Sequence, residues 1–329
     1  MEQPLVSIII PTYNRAHLIG ETLDSILAQS YTHWECIVVD DGSTDATEAL
    51  LQKYMAKDSR IRYYHRPPNR PKGANACRNY GFELSKGAYV LFLDSDDILK
   101  GYCLALRMEF LIKDCSIGCV VADTAAFCTL DRLQSKPMAS YSGEFTAENT
   151  LRLFLSYKLP WVSTLSVLWR KSILKQVKFD EKLLRFQDID FHINVLRTTG
   201  CKIYKINKID NYYRVGHDVN KKSTKFVSQV LKSFVYLDKK YCVLLSSPKH
   251  IKMFRKFNMK VISGFLINHY RQNKQVSNKT LIYVLKSKTV LFSQKVDILF
   301  LLVFLNTGLF FKKGIGMYRF HSYLKRQAV

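Results

Sequence analysis

Acidic residues all but vanish from the last part of this chain. Residues 201–329 hold four Asp and Glu against 26 Lys and Arg, a net of +22, whereas residues 1–200 hold 23 against 24 and are nearly neutral. Almost the whole formal charge of +23 therefore sits in the C-terminal region. This excludes a self-balanced surface there and calls for a polyanionic partner: an acidic lipid leaflet, nucleic acid or a phosphorylated substrate. None of the eight cysteines forms a CxxC pair, which argues against a zinc site. The opening MEQPLVSIII has an acid and no basic n-region, which argues against a secretory signal and, with the cysteines, points to a reducing cytosolic location. No run of about 20 apolar residues exists. The longest is Ile298–Leu305, extended to Phe311 with only Asn306, Thr307 and Gly308 interrupting, and it is too short to span a bilayer. No G-x-G-x-x-G follows the second expected strand, which argues against a dehydrogenase-type dinucleotide fold. There is no internal repeat and no low-complexity tract.

What is present is a globular composition, 47% hydrophobic and 23% charged over 329 residues, enough for a sizeable core and one or two domains. Val6–Ile10, Glu35–Val39, Arg60–His65 and Gly87–Leu93 read as strands. Between them, Leu18, Ile19, Thr22, Leu23, Ile26 and Leu27 recur at helical spacing, and Ala74–Ser85 reads as a further helix. Asp45 and Glu48 fit a capping box opening the helix between the second and third strands. Such alternation predicts an α/β fold with a mostly parallel central sheet, whose ligands gather at the carboxyl ends of the strands. Three polar clusters fall at those ends: Pro11–Arg15 (PTYNR), Asp40–Asp45 (DDGSTD) and Asp94–Asp97 (DSDD).

Each cluster admits two readings. Asp94, Asp96 and Asp97 offer hard oxygen ligands suited to Mg²⁺ or Mn²⁺, or they cap a helix. Asp40 and Asp41 accept hydrogen bonds from a base or ribose, or they shape a turn. Tyr13 stacks on a nucleobase or packs in its loop, and Arg78 pairs with a diphosphate or lies on a solvated helix face. Trp161, within Lys158–Arg170, is a platform for a sugar ring on the acceptor side or a core tryptophan.

Taken together, PTYNR, VVDDGSTD at Val38–Asp45, CRNYG at Cys77–Gly81, KGAYVLFLDSDD at Lys86–Asp97 and FQDIDF at Phe186–Phe191 closely resemble family 2 glycosyltransferases, inverting enzymes of the GT-A fold. The resemblance, to the bacterial cell-surface polysaccharide type, covers about residues 4–215. It implies a GT-A domain over residues 1–220, followed by a basic helical region over 221–329. It implies a nucleotide-sugar donor, UDP-linked, cradled by Pro11, Thr12, Tyr13, Asp40, Asp41, Arg78, Asp94 and Ser95, with a metal held at Asp94, Asp96 and Asp97. Asp188 occupies the position of the catalytic base, with Asp190 as its rival. The family's usual glutamate before the base is Gln187 here, which removes a neighbouring charge. Arg214 and His217, in YYRVGH, stand where residues close on the diphosphate or where a basic loop joins two regions.

The expected reaction is hexosyl or N-acetylhexosaminyl transfer to a glycan or lipid-linked acceptor. A non-catalytic nucleotide-sugar-binding or scaffolding protein of the same fold is the alternative. The basic tail carries no nucleic-acid-binding motif, and its aromatics mingle with Leu, Ile and Val. It points instead to peripheral attachment at the anionic inner face of the cell membrane, the rival reading being a helix packed in the core.

Overall fold

A computed structural model describes residues 3–139, 141, 143–161, 163–216, 223–308, 310 and 317–326. The chain divides into two compact units: Met1–Leu151 with Leu159–Lys182 and Gln187–His217, and Arg152–Lys158 with Leu183–Phe186 and Asp218–Val329.

The first unit is α/β. Strands β1 (Val6–Thr12), β2 (Trp34–Asp40), β3 (Ile61–His65) and β4 (Tyr89–Phe92) are linked by helices α1 (Ile19–Leu27), α2 (Thr47–Lys57) and α3 (Ala74–Leu84). A short β5 (Ile98–Leu99), α4 (Cys103–Lys113), the long β6 (Ile117–Phe127) and β7 (Leu133–Pro137) come next. Then follow α5 (Ala147–Leu155), whose residues from Arg152 on belong to the second unit, β8 (Val167–Arg170), α6 (Lys171–Leu174), α7 (Gln187–Thr199) and β9 (Lys202–Arg214). One nine-stranded sheet runs in the order β3-β2-β1-β4-β8-β6-β9-β5, with β7 beside β6. The parallel character expected from the sequence belongs to β3-β2-β1-β4. Beyond it, β8 runs antiparallel to both β4 and β6, while β6 and β9 are parallel. β1, β2 and β4 are largely apolar and buried because helices cover both faces, whereas the edge strand β3 is buried only at Ile61. β1 and β2, for example, are buried at every position.

The strand ends open where β1 and β4 part. Ile9 pairs with Phe92, the last residue of β4, and its carbonyl accepts from the Leu93 amide. Two residues on, Pro11 faces the same edge, where β4 has already ended, so its missing N–H deprives no partner. β1 therefore runs through Pro11 to Thr12 alongside β2 rather than stopping at the proline. The crevice this creates is the kind in which open α/β sheets bind ligands. The capping box expected at Asp45 and Glu48 does not form. The Asp45 carboxylate instead accepts from the Thr47 and Ala16 amides, bracing the two loops at the crevice.

Two buried devices hold the far side. Arg107 of α4 is fully buried and forks onto Asp210 of β9, at 2.8 and 2.7 Å, while its third nitrogen donates to the Leu165 carbonyl. Helix α7 is seated by aromatic packing: Phe191 stacks on Phe179 at 3.9 Å between ring centres and meets Phe92 and Trp169 edge-on. Trp161 belongs to this core. Its indole N–H donates to His192 Nε2 at 3.1 Å, so it is no exposed sugar platform. Burial lowers the His192 pKa to about 3, and the ring accepts as the neutral base.

The second unit is helical: α8 (Thr224–Leu244), α9 (Pro248–Lys260), a π-helical turn at Val261–Leu266, α10 (Lys274–Lys286), α11 (Phe292–Thr307) and α12 (Met317–Arg326). Its polar hub is Asp238, fully buried, whose carboxylate accepts from Asn258, Thr289, Tyr283 and Ser287. Four donors make a buried carboxylate tolerable that would otherwise be costly. In α11 the residues Ile298, Leu301 and Leu305 are buried, whereas Phe292, Val296, Leu299, Phe300 and Val303 are exposed. The exposed set recurs at helical spacing, so α11 is apolar on two faces and only one is packed. Among the described residues no helix is long and apolar enough to cross a membrane.

Candidate active site

The crevice is floored by strand ends and framed by two interlocked loops. Asn14 takes a left-handed conformation (φ 51°), its amide donates to Ser43, and its side-chain oxygen accepts from the Thr44 amide. An asparagine tolerates that conformation better than most residues. Here it knits the PTYNR loop to the DDGSTD loop. Thr12 is buried, and its Oγ1 has no partner among the described residues. Tyr13 is 49% exposed, with the Lys72 ammonium 6.0 Å from its ring centre.

The two neighbouring aspartates divide their work. Asp40 is buried: Oδ1 accepts from the Ser43 amide and hydroxyl, and Oδ2 from the Tyr63 hydroxyl. It shapes the turn. Asp41 is only partly covered and pairs with Arg66 Nε through one oxygen at 2.5 Å.

The next strand end carries the acidic cluster. Asp94, Asp96 and Asp97 do not converge as a three-ligand cage; among the described residues no three His, Cys, Asp or Glu do. Asp94 and Asp96 are partly exposed, facing Arg78 at 2.6 Å and Arg15 at 3.9 Å. Asp97 turns inward with Ser95, both buried. Its Oδ1 accepts from the Arg214 amide at 2.8 Å, and its Oδ2 is buried without a partner among the described residues. Burial, and then the Asp94 charge, hold the Asp96 carboxyl above its ordinary range. Asp97 is pushed well above its range by the same causes, with Asp96 adding to them. The cluster is thus short of positive charge. Hard oxygens with this deficit fit a divalent cation, and Mg²⁺ takes only one or two protein carboxylates when substrate phosphates complete its shell. Asp94 and Asp96 are the groups disposed to hold it.

Arg78 lies on no solvated face. It is buried on α3, donating to Asp94 Oδ1 at 2.6 Å, to Asn75 at 3.1 Å and to the Gln187 side chain at 3.3 Å. One guanidinium therefore links the acidic cluster to the first residue of α7. Beside Gln187, Asp188 is half-buried, and burial raises its pKa from 3.8 to about 6 against the opposing pull of Arg78. Asp94 adds to the rise. Its rival Asp190 is fully buried and accepts from Asn194 one turn on at 3.1 Å. Of the two, Asp188 is the one with access to solvent.

Arg214 does not reach the crevice as expected. Its guanidinium is buried, donating to the carbonyls of Asp96 and Cys128 and to Glu21, with the Phe127 ring 4.2 Å away. It clasps β9 to the acidic loop. His217 lies outside the described residues. Arg15, Tyr63, Arg66 and Gln187 complete the site, although their sequence neighbours drew the attention. Arg15, the last residue of PTYNR, and Gln187, within FQDIDF, had legible signals; Tyr63 and Arg66 had none.

Residues 7–176 match the family model described as Glycosyl transferase family 2. The chain belongs to that family. A stretch of 236 residues is 28% identical to an uncharacterised glycosyltransferase of Haemophilus influenzae, covering 72% of this chain and 89% of that protein. A stretch of 111 residues is 45% identical to the putative teichuronic acid biosynthesis glycosyltransferase TuaG of Bacillus subtilis, covering 34% of this chain and 43% of that one. The GT-A fold is shared with S. aureus TarS at a TM-score of 0.67 and 18% identity, over 98% of this chain and 90% of that one. The structural likeness thus runs past the segment that carries the family 2 motifs.

Proposed function

We propose that the chain is an inverting glycosyltransferase that moves a sugar from a UDP-sugar to a hydroxyl of a glycan or lipid-linked acceptor in cell-surface polysaccharide synthesis. Residues 1–220 form the catalytic domain and 221–329 the membrane-facing region. The observation that carries the reading is Arg78, whose guanidinium touches both Asp94 and Gln187 and so ties the diphosphate end of the crevice to the helix bearing Asp188. Family membership and the name of TuaG support polysaccharide synthesis. A TarS structure that shares the fold holds UDP-GlcNAc.

In this reading Tyr13 lies against the uracil and the second carboxylate oxygen of Asp41 accepts from the base. Asp94 and Asp96 hold Mg²⁺ or Mn²⁺, which when bound neutralises charge on the diphosphate. Asp188 takes the proton of the acceptor hydroxyl as that oxygen attacks the anomeric carbon opposite the leaving group, and the configuration inverts. A pKa near 6 leaves this base ionised at neutral pH yet basic enough to accept a proton. The exposed apolar face of α11 and the basic charge around it suit a helix lying in an anionic interface.

The test is hydrolysis and transfer from a panel of UDP-sugars, with EDTA and with added Mn²⁺. Metal-dependent turnover of one donor is expected. UDP binding without any turnover across the panel would leave a nucleotide-sugar-binding protein instead.

A further inference from the structure

One face of α3 is polar and buried, where a helix packed on a sheet ordinarily presents apolar side chains. Asn75, Arg78 and Asn79 lie on it at spacings of three and four residues, and all three are buried. A buried polar group is costly unless it is hydrogen-bonded. These three reach across to α7 and to the chain that precedes it. Arg78 donates to Gln187, and the Asn75 side-chain amide donates to the Asp180 carbonyl at 2.7 Å. Asn79 binds most completely. Its Nδ2 donates to the Phe179 carbonyl and to the Glu181 carboxylate, and its Oδ1 accepts from the Phe179 amide, each at 2.9 Å. One side-chain amide thus occupies both backbone polar groups of Phe179, as a paired strand would.

The residue held in this way lies between the two ends of the crevice. The Phe179 ring stacks on Phe191 of α7, with 3.9 Å between centres and 3° between planes. It meets Phe92, the last residue of β4, edge-on at 5.0 Å, and the Arg78 guanidinium lies 5.2 Å from its centre. Phe92 comes two residues before Asp94, and Phe191 comes three residues after Asp188, on the same side of α7. A flat ring stacked in a close-packed core has a fixed thickness and yields little to compression. The strand end bearing Asp94 and the helix bearing Asp188 are therefore spaced by one ring, and Asn79 fixes where that ring sits.

We propose that Asn79 and Phe179 are positioning residues that set the distance from the acidic cluster to the base Asp188. The role of Asp188 rests on the glycosyltransferase reading. In a single displacement the base must stand across the anomeric carbon from the leaving diphosphate, and a misplacement of about 1 Å can cost about 10²-fold in rate. Both residues are buried in the core, so they act through Asp188 and not on the substrate.

The test is a double-mutant cycle on the full chain, assayed with the UDP-sugar that wild type turns over. Asn79→Asp keeps the acceptor for the Phe179 amide and loses both donated bonds. Phe179→Leu keeps the bonds to the backbone and loses the flat ring. Each should lower kcat for transfer about tenfold or more, while the Kd for UDP stays within about threefold of wild type and melting curves show a folded protein at the assay temperature. In an Asp188→Asn background the same substitutions should lower the residual rate less than about threefold, because there is no base left to position. A substitution that only loosens packing lowers the rate by the same factor in both backgrounds. An equal factor in both backgrounds, or an unchanged kcat, overturns the proposal. If Asn79→Asp does not fold, Phe179→Leu decides the question alone. An active wild type with additive variants removes the positioning role and leaves the glycosyltransferase reading standing. A wild type that turns over no UDP-sugar removes both.

Discussion

Replacing Asp188 by asparagine should make the protein more stable and nearly inactive at once. The carboxylate is half-buried on α7, and burial lifts its pKa from 3.8 to about 6. Each pH unit of such a lift is worth 1.36 kcal/mol between the two protonation states. At pH 7 the ionised group therefore costs the folded state up to about 3 kcal/mol. The sign follows from proton binding: the folded chain holds this proton more tightly, so stability falls as pH rises. Below about pH 4 both states are protonated and the cost is absent; it grows between about pH 4 and 6 and is complete above that. Asparagine has the shape without the charge. In EDTA at pH 7, Asp188→Asn should gain about 1–3 kcal/mol in urea unfolding, and its melting temperature should rise by about 2–4 °C per kcal/mol. The gain should fade as the pH approaches 4. Transfer should fall by about 10²–10⁴, the usual contribution of a general base, while UDP affinity stays close to wild type. In wild type the transfer rate should climb with pH through about 6 and then level off. A variant that is less stable at pH 7, or that keeps more than about a tenth of the rate, refutes the assignment and its electrostatic basis.

EDTA should abolish transfer and Mn²⁺ or Mg²⁺ restore it. Asp96→Asn should lose about two to four orders of magnitude in rate. Asp97→Asn, whose Oδ1 only accepts from the Arg214 amide, should lose less than about tenfold, and an equal loss would return Asp97 to the ligand set. Arg107→Met should destabilise the first unit by about 3–5 kcal/mol in urea unfolding, because it leaves the Asp210 charge buried and unpaired; a loss below about 1 kcal/mol would mean that water reaches the pair. Leu299→Ser with Phe300→Ser should weaken binding to anionic vesicles without lowering the melting temperature, since both side chains are already exposed. Unchanged sedimentation with vesicles at low salt would remove α11 from the interface.

Sequence alone was enough to locate the strand ends, because a parallel strand covered on both faces must be a short apolar run and its polar successor must lie at an edge of the sheet. That reasoning found Pro11–Thr12, Asp40–Asp41 and Asp94–Asp97, and the order of the motifs named the family. It also saw that the positive charge lies beyond residue 200 and that no apolar run is long enough to span a membrane. What it could not supply is which oxygen of each aspartate is still available. Asp40 and Asp41 are adjacent and chemically identical, yet one is bound by Ser43 and Tyr63 and the other by Arg66. Asp97 differs from Asp96 only because β9 brings the Arg214 amide to it across 117 positions of chain. Arg78 and Arg214 both read as candidates for a diphosphate. Only folding shows Arg78 joining Asp94 to Gln187 and Arg214 closed onto Glu21 and two carbonyls. The α11 helix makes the same point: from Ile298 to Leu305 it is apolar all round, and whether a given side chain meets core or solvent depends on which neighbours cover it. Local pattern depends on residues a few positions apart, so it is written in the sequence. The partner of a buried charge comes from a distant segment, and tertiary structure alone decides it.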